Sequence, residues 1–351
     1  MKKIKVGIIM GGMSSEREVS LNSGRNVYDH LDEEFYEGRP IFMDHAGKLW
    51  LIPWQLVSQN TTVDIMDRLH EEAKSLRYED LREEIDFAFI CLHGKYGDDG
   101  CIQGLFELLR IPYTGPGVLA SALGMDKHAQ LFFLKAAGLE TPDSMVIQEE
   151  DWNEDPNAVR EDILARFSLP FVIKPTREGS STGVTIIRTM ETLEEGMQSA
   201  LQWDTSVLLE EHLDGTEFSC IVLEEEEGIR ALEVTEIHPQ SEFYTYDDKY
   251  MPGRCRKFTP PKNIPPALVE KIKDEAVRAF QALGFRSYGR MDGFLLKDER
   301  ILITDPNSSS GMAPSSFFFE QAACAGMLPS MIITLLIENG MRIHGAKTGP
   351  L

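Results

Sequence analysis

Short apolar runs followed by glycine-rich polar turns recur along the first part of the chain. The run at 4–10, IKVGIIM, leads into GGMSSEREVSLNSG at 11–24, and the run at 87–92, FAFICL, leads into HGKYGDDG at 93–100. A continuous apolar run between turns is typical of a buried strand, and CIQGLFELL at 101–109 has a helical pattern. Strands that alternate with helices predict a parallel sheet, with functional groups at the carboxyl ends of its strands.

A second group of predicted elements follows the break IPYTGPG at 111–117, whose prolines and glycines indicate a domain boundary. The segment 118–140 has a helical pattern. Two apolar runs, at 169–174 and 183–187, predict strands on either side of the polar stretch KPTREGSSTG. The further predicted elements in this part are a helix near 191–202 and a strand at 206–210.

The last third of the chain predicts strands and helices around one long loop. The acidic run EEEE at 224–227 indicates a solvated hairpin tip between two strands. The aromatic-rich polar segment 241–261 shows no helical or strand period and predicts a long functional loop. The other predicted elements are strands at 218–224, 230–236, 291–296 and 300–305, and helices at 265–282 and 328–340.

Composition and charge narrow the class of protein. The chain has 351 residues, 42% of them hydrophobic and 26% charged, as in soluble globular proteins of two or three domains. Its net charge of -22 argues against nucleic acid and anionic membranes as partners, because both would repel it. Five scattered cysteines without a CxxC pair argue against a zinc site or disulfide framework and indicate the cytoplasm. No apolar run reaches the roughly 18 residues of a membrane helix.

The stretch KPTREGSSTG, at 174–183, separates two predicted strands with glycines and hydroxyl groups. Free backbone N–H groups, three hydroxyls and Lys174 suit the oxygens of a polyphosphate. A flexible loop can also close over a nucleotide and exclude water. Lys127, at a predicted helix start, is placed to reach the same phosphates. The alternative interpretations are a solvent-exposed hairpin turn and an ordinary surface lysine.

Hard oxygen ligands follow two predicted strands near the end of the chain. Asp292 lies in GRMDGF, and Asp305 and Asn307 lie in TDPNSSSG. Their oxygens, with Arg290 alongside, make a candidate Mg²⁺ site. A spacing of two residues puts Asp305 and Asn307 on one face of an extended chain. The alternative interpretation is an Asp-Pro-Asn turn.

These motifs occur in a fixed order, and with them the sequence resembles the D-alanine–D-alanine ligases of the ATP-grasp superfamily. The resemblance covers most of the chain and rests on GGMSSEREVSLNSG, HGKYGDDGCIQGLFELLRIPYTGPGVLASALGMDK, VIKPTREGSSTGV, FYTYDDKY, GRMDGF and NSSSGM. It implies an α/β (α+β) ATP-grasp fold. An N-terminal parallel-sheet (pre-ATP-grasp) domain at 1–116 would precede two α+β subdomains, at 117–210 and 211–351, that clasp ATP.

The resemblance also implies a nucleotide site. The phosphates would be contacted by Lys127, Lys174 and Lys249, and the mobile loop that covers them would contain Ser180, Ser181 and Gly183. Adenine would be contacted by Glu210, Glu211 and Leu213, and the ribose by Glu217. Two Mg²⁺ ions, for which Mn²⁺ is an alternative, would be bound by Asp292, Asp305 and Asn307.

The amino-acid substrates are assigned in the same way. Glu16, Ser180 and Tyr250 match the family's hydrogen-bonded triad near the first amino acid. Glu16 would pair with the ammonium of that amino acid, and His93 would lie near its carboxylate. The resemblance implies that the oxyanion formed in the reaction is bound by Arg290 and the backbone N–H of Gly311. It implies that the carboxylate of the second amino acid is bound by Ser315 and Ser316.

The sequence departs from the family pattern in and around the second-substrate region. The family usually has Glu at Asp305, and a shorter side chain makes it harder to bridge two metal ions. KYGDDG and YTYDDKY each contain Asp where relatives often have Glu. The other departures are Ser310 for proline, Ala313 for threonine, and the bulky Phe317. These departures bear on the identity of the second amino acid, the acceptor, more than on the type of reaction.

The resemblance implies ATP-dependent ligation of two D-alanines for peptidoglycan, through an acyl phosphate, with release of ADP and phosphate. A cytoplasmic homodimer without nucleic-acid or membrane partners is expected. One alternative is the same mechanism with D-serine, D-lactate or another amino acid as acceptor. Tyr250 argues against D-lactate, because depsipeptide-forming relatives tend to lose that tyrosine. The other alternative is a nucleotide-binding homologue that has lost catalysis.

Overall fold

The computed structural model describes residues 2–239 and 255–345, and its strands form three sheets that follow one another along the chain. Every strand predicted from an apolar run is present, with ends that differ by a few residues. In chain order the strands are β1 Ile4–Gly11, β2 Tyr36–Met43, β3 Leu49–Leu51, β4 Lys74–Leu76, β5 Phe87–Ile90, β6 Ser144–Gln148, β7 Phe171–Pro175, β8 Thr185–Ile187, β9 Ser206–Glu211, β10 Gly215–Glu225, β11 Gly228–Pro239, β12 Cys255–Phe258, β13 Tyr288–Leu296 and β14 Ile301–Asn307.

The helices of the described residues include those predicted near 191–202, 265–282 and 328–340. The α-helices are α1 Arg17–Asp29, α2 Trp54–Val57, α3 Thr62–Met66, α4 Leu69–Glu72, α5 Leu81–Glu84, α6 Cys101–Leu109, α7 Val118–Met125, α8 Lys127–Ala136, α9 Glu149–Glu154, α10 Pro156–Arg166, α11 Leu193–Leu201, α12 Pro266–Ala282, α13 Phe317–Cys324 and α14 Pro329–Gly345. Short 3₁₀ helices span Tyr78–Asp80 and Met190–Thr192.

The helical pattern predicted over 118–140 is confirmed for most of its length, but it forms two helices, α7 and α8. The backbone at Asp126 is extended, with ψ of 100°, and this residue separates α7 from α8. Its side chain accepts a hydrogen bond from the N–H of Ala129 at 3.0 Å, which caps the new helix. Lys127 is therefore the first residue of α8, as its predicted position at a helix start requires.

The first sheet has the strand order β4-β3-β2-β1-β5. Strand β1 is parallel to both β2 and β5, which confirms the predicted parallel sheet at its centre. Strands β3 and β4 extend the sheet in antiparallel fashion, and the sequence patterns did not predict this extension. The carboxyl ends of β1 and β5 lie side by side, so the polar turns at 11–16 and 93–100 share one edge.

The other two sheets are antiparallel and carry the remaining motifs. The second has the order β6-β9-β7-β8, and KPTREGSSTG connects β7 to β8. The third has the order β12-β11-β10-β13-β14. In it Asp292 on β13 is directly opposite Asp305 on β14. The alternative interpretation of this segment, an Asp-Pro-Asn turn, is therefore wrong, because β14 continues through Asn307.

A core shared by the two ends of the chain fixes the first sheet against the third. Helix α13 packs against β10 and β11, and helix α14 packs against β5 and β10. Fully buried Val6, Phe87 and Leu336 belong to one cluster there. Ile221 of β10 belongs to the same cluster. Burial of apolar surface contributes about 25 cal/mol per Å², so a core this large holds the sheets in a definite arrangement.

The acidic run at 224–227 is only partly the predicted solvated tip. Glu226 and Glu227 are exposed in the turn between β10 and β11, but Glu224 is buried. Both Arg286 and Arg342 pair with the Glu224 carboxylate, at 2.8 and 3.1 Å. Although burial opposes ionisation, these arginines and the N–H of Ser287 lower its pKa to about 2. Glu224 thereby attaches α14 to the third sheet.

Across residues 2–239 and 255–345, no single helix has both the length and the apolar composition needed to cross a membrane. The pair α13 and α14 passes that test by length and composition, with a bend of 105° between its two helices.

Candidate active site

A cavity of about 250 Å³ lies where all three sheets meet. It is lined by the turns that follow β1 and β5, by the loop between β7 and β8, and by the ends of β9, β13 and β14. The predicted site residues that line it are Glu16, His93, Lys127, Lys174, Ser180, Ser181, Glu210, Glu211, Leu213, Glu217, Arg290, Asp292, Asp305, Asn307 and Gly311.

The two predicted phosphate lysines are both buried in this cavity, and each has an acidic partner. Lys174 on β7 pairs with Glu210 on the neighbouring strand β9 at 2.7 Å. Lys127 pairs with Asp305 at 3.1 Å and also donates to the backbone oxygen of Glu178 at 2.9 Å. The lysines are therefore fixed in position before any ligand arrives, which favours binding of an anion.

The loop between β7 and β8 covers one side of the cavity in a strained conformation. Ser180 and Ser181 have φ of 51° and 60°, a left-handed region that side chains other than glycine seldom adopt. Gly179 passes so close to Glu16 that a Cβ on it would lie 2.5 Å from Oε1. This close approach of the backbone explains the glycine and brings the hydroxyls of the loop over the cavity.

The residues predicted for adenine and ribose lie at the junction of β9 and β10. Glu211 and Leu213 line the cavity there, with Glu217 on β10. One oxygen of Glu210 bonds Lys174, and its Oε1 is buried without a hydrogen-bond partner among the described residues. A buried carboxylate oxygen without a donor is destabilising, so this position favours a ligand that supplies an N–H group.

The predicted metal ligands face one another on the third sheet. The Nε of Arg290 donates to Oδ2 of Asp292 at 2.9 Å, and the Nη2 of Arg290 lies 2.8 Å from the same oxygen. The Ser219 hydroxyl and the Asn307 amide also donate to Asp292, at 2.7 and 3.1 Å. Asp305 points toward Lys127. Arg290, predicted for the oxyanion, is thus oriented by the same carboxylate that was predicted to bind metal.

The chemistry of this donor set fits Mg²⁺. The described residues contain no cluster of three or more His, Cys, Asp or Glu side chains arranged around a metal position. Asp292 and Asp305 nevertheless present two carboxylates from facing strands, and the Asn307 side chain carries an amide oxygen beside them. Magnesium usually takes one or two carboxylates from the protein and completes its shell with phosphate oxygens and water.

The predicted site for the first amino acid is formed by helix α1 and the turn after β5. The Ser14 hydroxyl donates to the backbone oxygen of His93 at 2.6 Å, and it accepts from the N–H of Glu16 at 3.1 Å. Burial lowers the pKa of His93, a shift that nearby Glu16 opposes and Arg290 reinforces. His93 is therefore neutral near pH 7.

Ser23 is a residue that sequence reasoning missed. It is fully buried on α1, accepts from the N–H of Met312 at 3.0 Å, and contacts Nε2 of His93 at 3.1 Å. Because the hydroxyl proton is free to bond the imidazole, Ser23 connects His93 to the loop that carries Gly311. Its place inside the motif at 11–24 was the available signal, but only the fold identifies its partners.

Five predicted site residues lie elsewhere or outside the described residues. Gly183 has φ of +69° and packs against Pro175 and Trp203 behind the loop, outside the cavity lining. Ser315 and Ser316 precede α13 and also lie outside that lining, and the buried Oγ of Ser316 has no hydrogen-bond partner in the described part of the chain. Lys249 and Tyr250 fall in 240–254, outside the described residues.

Asp98 lines the cavity and was not predicted as a site residue. It accepts from the N–H of Gly94 at 2.8 Å and lies 4.0 Å from Nδ1 of His93. Burial raises its pKa to about 7, with Glu16 adding to the shift and a hydrogen bond from Ser309 opposing it.

The raised pKa of Asp98 predicts a pH-dependent contribution to stability. The folded protein binds this proton more tightly than the unfolded chain, in which the pKa of an Asp is about 4. The protonated side chain therefore contributes to the free energy of unfolding at low pH, and this contribution is lost as the pH rises through about 7. Compared with Asp98→Asn, the wild-type free energy of unfolding should fall by about 2.5 kcal/mol between pH 5 and pH 8. Urea unfolding at both pH values measures this, and a constant difference between the proteins would contradict it.

Comparison with known families places this geometry in context. A family model described as D-ala D-ala ligase N-terminus matches residues 5–116, and one described as D-ala D-ala ligase C-terminus matches residues 133–338. A D-alanine–D-alanine ligase of Pelotomaculum thermopropionicum is 36% identical over 345 residues, 98% of this chain and 99% of the relative. One of Carboxydothermus hydrogenoformans is 35% identical and covers 96% of this chain and 98% of its own length.

Solved structures agree with the sequence relatives. VanG D-Ala:D-Ser ligase from Enterococcus faecalis has a TM-score of 0.83 at 28% identity, covering 97% of this chain and 100% of that one. The Bacillus anthracis D-alanine–D-alanine ligase complexed with ATP has a TM-score of 0.75 at 28% identity, over 97% and 99% of the two chains. The Coxiella burnetii ligase, at 24% identity, shares the fold with a TM-score of 0.85 over 98% and 96%.

Proposed function

Because the chain belongs to the D-alanine–D-alanine ligase family, a ligase family with the ATP-grasp fold predicted from its motifs, we propose that it joins two D-alanines into D-alanyl-D-alanine. ATP is the co-substrate and becomes ADP and phosphate. The product serves peptidoglycan synthesis, which fits an enzyme of the cytoplasm. We include in this proposal a homodimeric state and domain boundaries after residues 116 and 210.

The observation that carries the proposal is the convergence of three groups of residues on one cavity. Buried Lys127 and Lys174 supply positive charge for phosphates. Facing Asp292 and Asp305 supply oxygen ligands for a metal. Glu16 and the turn after β5 enclose the third side. A carboxylate, a nucleotide and a divalent ion need these charges together, whereas a simple nucleotide-binding scaffold has no use for the third group.

Each group has a role in the proposed chemistry. Phosphorylation by ATP converts the carboxylate of the first D-alanine into an acyl phosphate, which the amino group of the second attacks. Glu16 binds the ammonium of the first amino acid, and the neutral imidazole of His93 lies beside its carboxylate. Arg290 and the backbone N–H of Gly311 bind the oxyanion as it forms, where preorganised donors have their largest effect. The loop with Ser180 excludes water from the acyl phosphate.

The remaining assignments complete the proposal. Phosphates contact Lys127, Lys174 and, from 240–254, Lys249, beneath the loop of Ser180, Ser181 and Gly183. Adenine and ribose contact Glu210, Glu211, Leu213 and Glu217, and Tyr250 completes the triad with Glu16 and Ser180. The carboxylate of the second amino acid binds at Ser315 and Ser316. Asp292, Asp305 and Asn307 would hold two Mg²⁺ ions, which would offset the charge of the phosphates.

Neutralising one proposed metal ligand tests this set. Asp305→Asn should lower kcat by about 10- to 100-fold and raise the Mg²⁺ concentration needed for half-maximal rate, because the amide keeps one oxygen but loses its charge. Asp298→Asn is the matched control, since that carboxylate is in the turn of the same hairpin and pairs with Arg300 in solvent. Full activity of Asp305→Asn in EDTA would rule out the site.

The proposed reaction itself is tested with the purified protein, ATP, Mg²⁺ and a panel of D- and L-amino acids. We expect ADP release that depends on D-alanine, and mass spectrometry should identify D-alanyl-D-alanine as the product. ATP binding without ADP release for any amino acid would instead indicate a homologue that has lost catalysis.

D-serine as acceptor is the second candidate function. It is favoured by the likeness to VanG, whose name specifies D-Ala:D-Ser ligation, and by the departures at Ser310, Ala313 and Phe317 near the proposed second site. Competition between D-alanine and D-serine in one reaction decides between the two. A mixed dipeptide in excess over D-alanyl-D-alanine at equal concentrations would assign D-serine.

A further inference from the structure

The loop between β7 and β8 is attached to the protein from two sides. On its own sheet, the Arg177 guanidinium pairs with Asp204 at 2.7 Å, and the Arg177 N–H donates to the same carboxylate at 2.9 Å. From the first sheet, Lys95 in the turn after β5 pairs with Glu178. The two pairs are adjacent in sequence on the loop, but only the second one joins different sheets.

The position of Lys95 is defined by a second contact. Its Nζ also donates to the backbone oxygen of Trp203 at 3.0 Å, so one ammonium group bridges two segments of the second sheet. The Glu178 side chain is only 10% exposed. Its backbone oxygen accepts from Lys127 at 2.9 Å, which adds a contact on the cavity side. Glu178 is thus held between a lysine outside the cavity and one inside it.

Glu178 directly precedes the part of the loop that covers the cavity. The following residue, Gly179, lies against the Glu16 carboxylate, and Ser180 comes next with its strained backbone. Lys95 in turn follows Gly94, whose backbone also lies against Glu16. An ion pair at this point therefore couples the height of the loop over the cavity to the turn that carries the first-substrate residues.

We propose that the Lys95–Glu178 pair is a latch that holds the loop closed, and that Lys95 is a positioning residue for the ligation. This inference rests on the proposed function. With the latch open, water reaches the acyl phosphate and the water oxygen attacks the phosphorus, while the phosphorus–acyl oxygen bond breaks. The carboxylate of D-alanine leaves, and both protons of the water remain on the phosphate that is released. ADP has then already formed, but no peptide bond has. Loss of the latch uncouples ATP consumption from dipeptide formation.

Coupling is measured as the ratio of ADP to dipeptide formed. Lys95→Gln and Glu178→Gln should each raise this ratio about two- to fivefold, the range for a partly exposed ion pair, and raise KM for ATP more than they lower kcat. Arg177→Gln is the matched control, because it removes an ion pair from the same loop without crossing to the first sheet, and it should leave the ratio unchanged. The double variant Lys95→Glu with Glu178→Lys should restore coupling. Equal uncoupling by Arg177→Gln, or an unchanged ratio in both latch variants, would overturn the latch.

Amide hydrogen exchange tests the latch without catalysis. In the free protein, residues 177–184 should exchange about two- to fivefold faster in Glu178→Gln than in the wild type, while Arg177→Gln leaves the residues beyond 178 unaffected. If the wild-type protein forms no dipeptide, the proposed function fails, and exchange alone decides the latch. If dipeptide forms but exchange and coupling are both unchanged in the latch variants, only the latch fails.

Discussion

Lys174→Met should reduce ligation by at least about 10³-fold while the protein stays folded. A buried ammonium next to a phosphate acts in a water-poor site, where one unit charge interacts with another by several kcal/mol, and each 1.4 kcal/mol is a factor of ten in rate. Methionine matches the lysine side chain as far as Cε and removes the ammonium group with its charge. Steady-state kinetics with D-alanine and ATP, together with nucleotide binding by calorimetry, measure the effect.

The partner of Lys174 supplies the control for this prediction. Without the lysine, Glu210 remains buried as an uncompensated carboxylate, and removal of one member of a buried pair typically costs about 3–5 kcal/mol. The double variant Lys174→Met with Glu210→Gln should recover the melting temperature but not the ligation. If ligation returned together with stability, Lys174 would serve the fold, and its assignment to phosphate would be wrong.

Glu16→Gln should impair use of the first D-alanine about 10²-fold or more in kcat/KM, with nucleotide affinity nearly unchanged. The variant leaves a buried ammonium of the substrate without its counter-charge, which costs a few kcal/mol. Glu16 is at the N-cap position of α1 but makes no side-chain capping bond. Its carboxylate faces Gly94 and Gly179, so a purely structural contribution as a helix-terminal charge is small.

Glu18→Gln is the matched control for Glu16→Gln. Glu18 is in the first turn of the same helix, but its carboxylate accepts from the Thr62 N–H at 3.0 Å, and neither residue lines the cavity. Glu18→Gln should lower the melting temperature and leave kcat/KM for D-alanine unchanged. This is the reverse of the result expected for Glu16→Gln. Equal losses for donor, acceptor and ATP in Glu16→Gln, in proportion to lost stability, would contradict the substrate assignment.

The local elements were predictable because their signals are local. A short apolar run between turns, such as 87–92, is typical of a buried strand, and Gly and Ser clusters are typical of loops. The order of motifs then indicated the family, which family models and relatives confirmed. The exceptions have local causes as well. The predicted helix over 118–140 is interrupted at Asp126, whose side chain is a better helix cap than a helix interior residue.

Only the tertiary structure decided which side chains meet. Asp98 has an ordinary sequence context, but packing between the turn after β5 and the loop near Ser309 buries it and raises its pKa. Glu224 reads as one of four surface acids, yet two arginines distant in sequence surround it. Contacts between distant segments cannot be predicted from hydrophobic periodicity, because the pattern around each residue depends only on its own helix, strand or turn. The elements and the family were therefore determined by the sequence itself, whereas the ion pairs, the buried acid and the Lys95–Glu178 contact depend on how three sheets pack together.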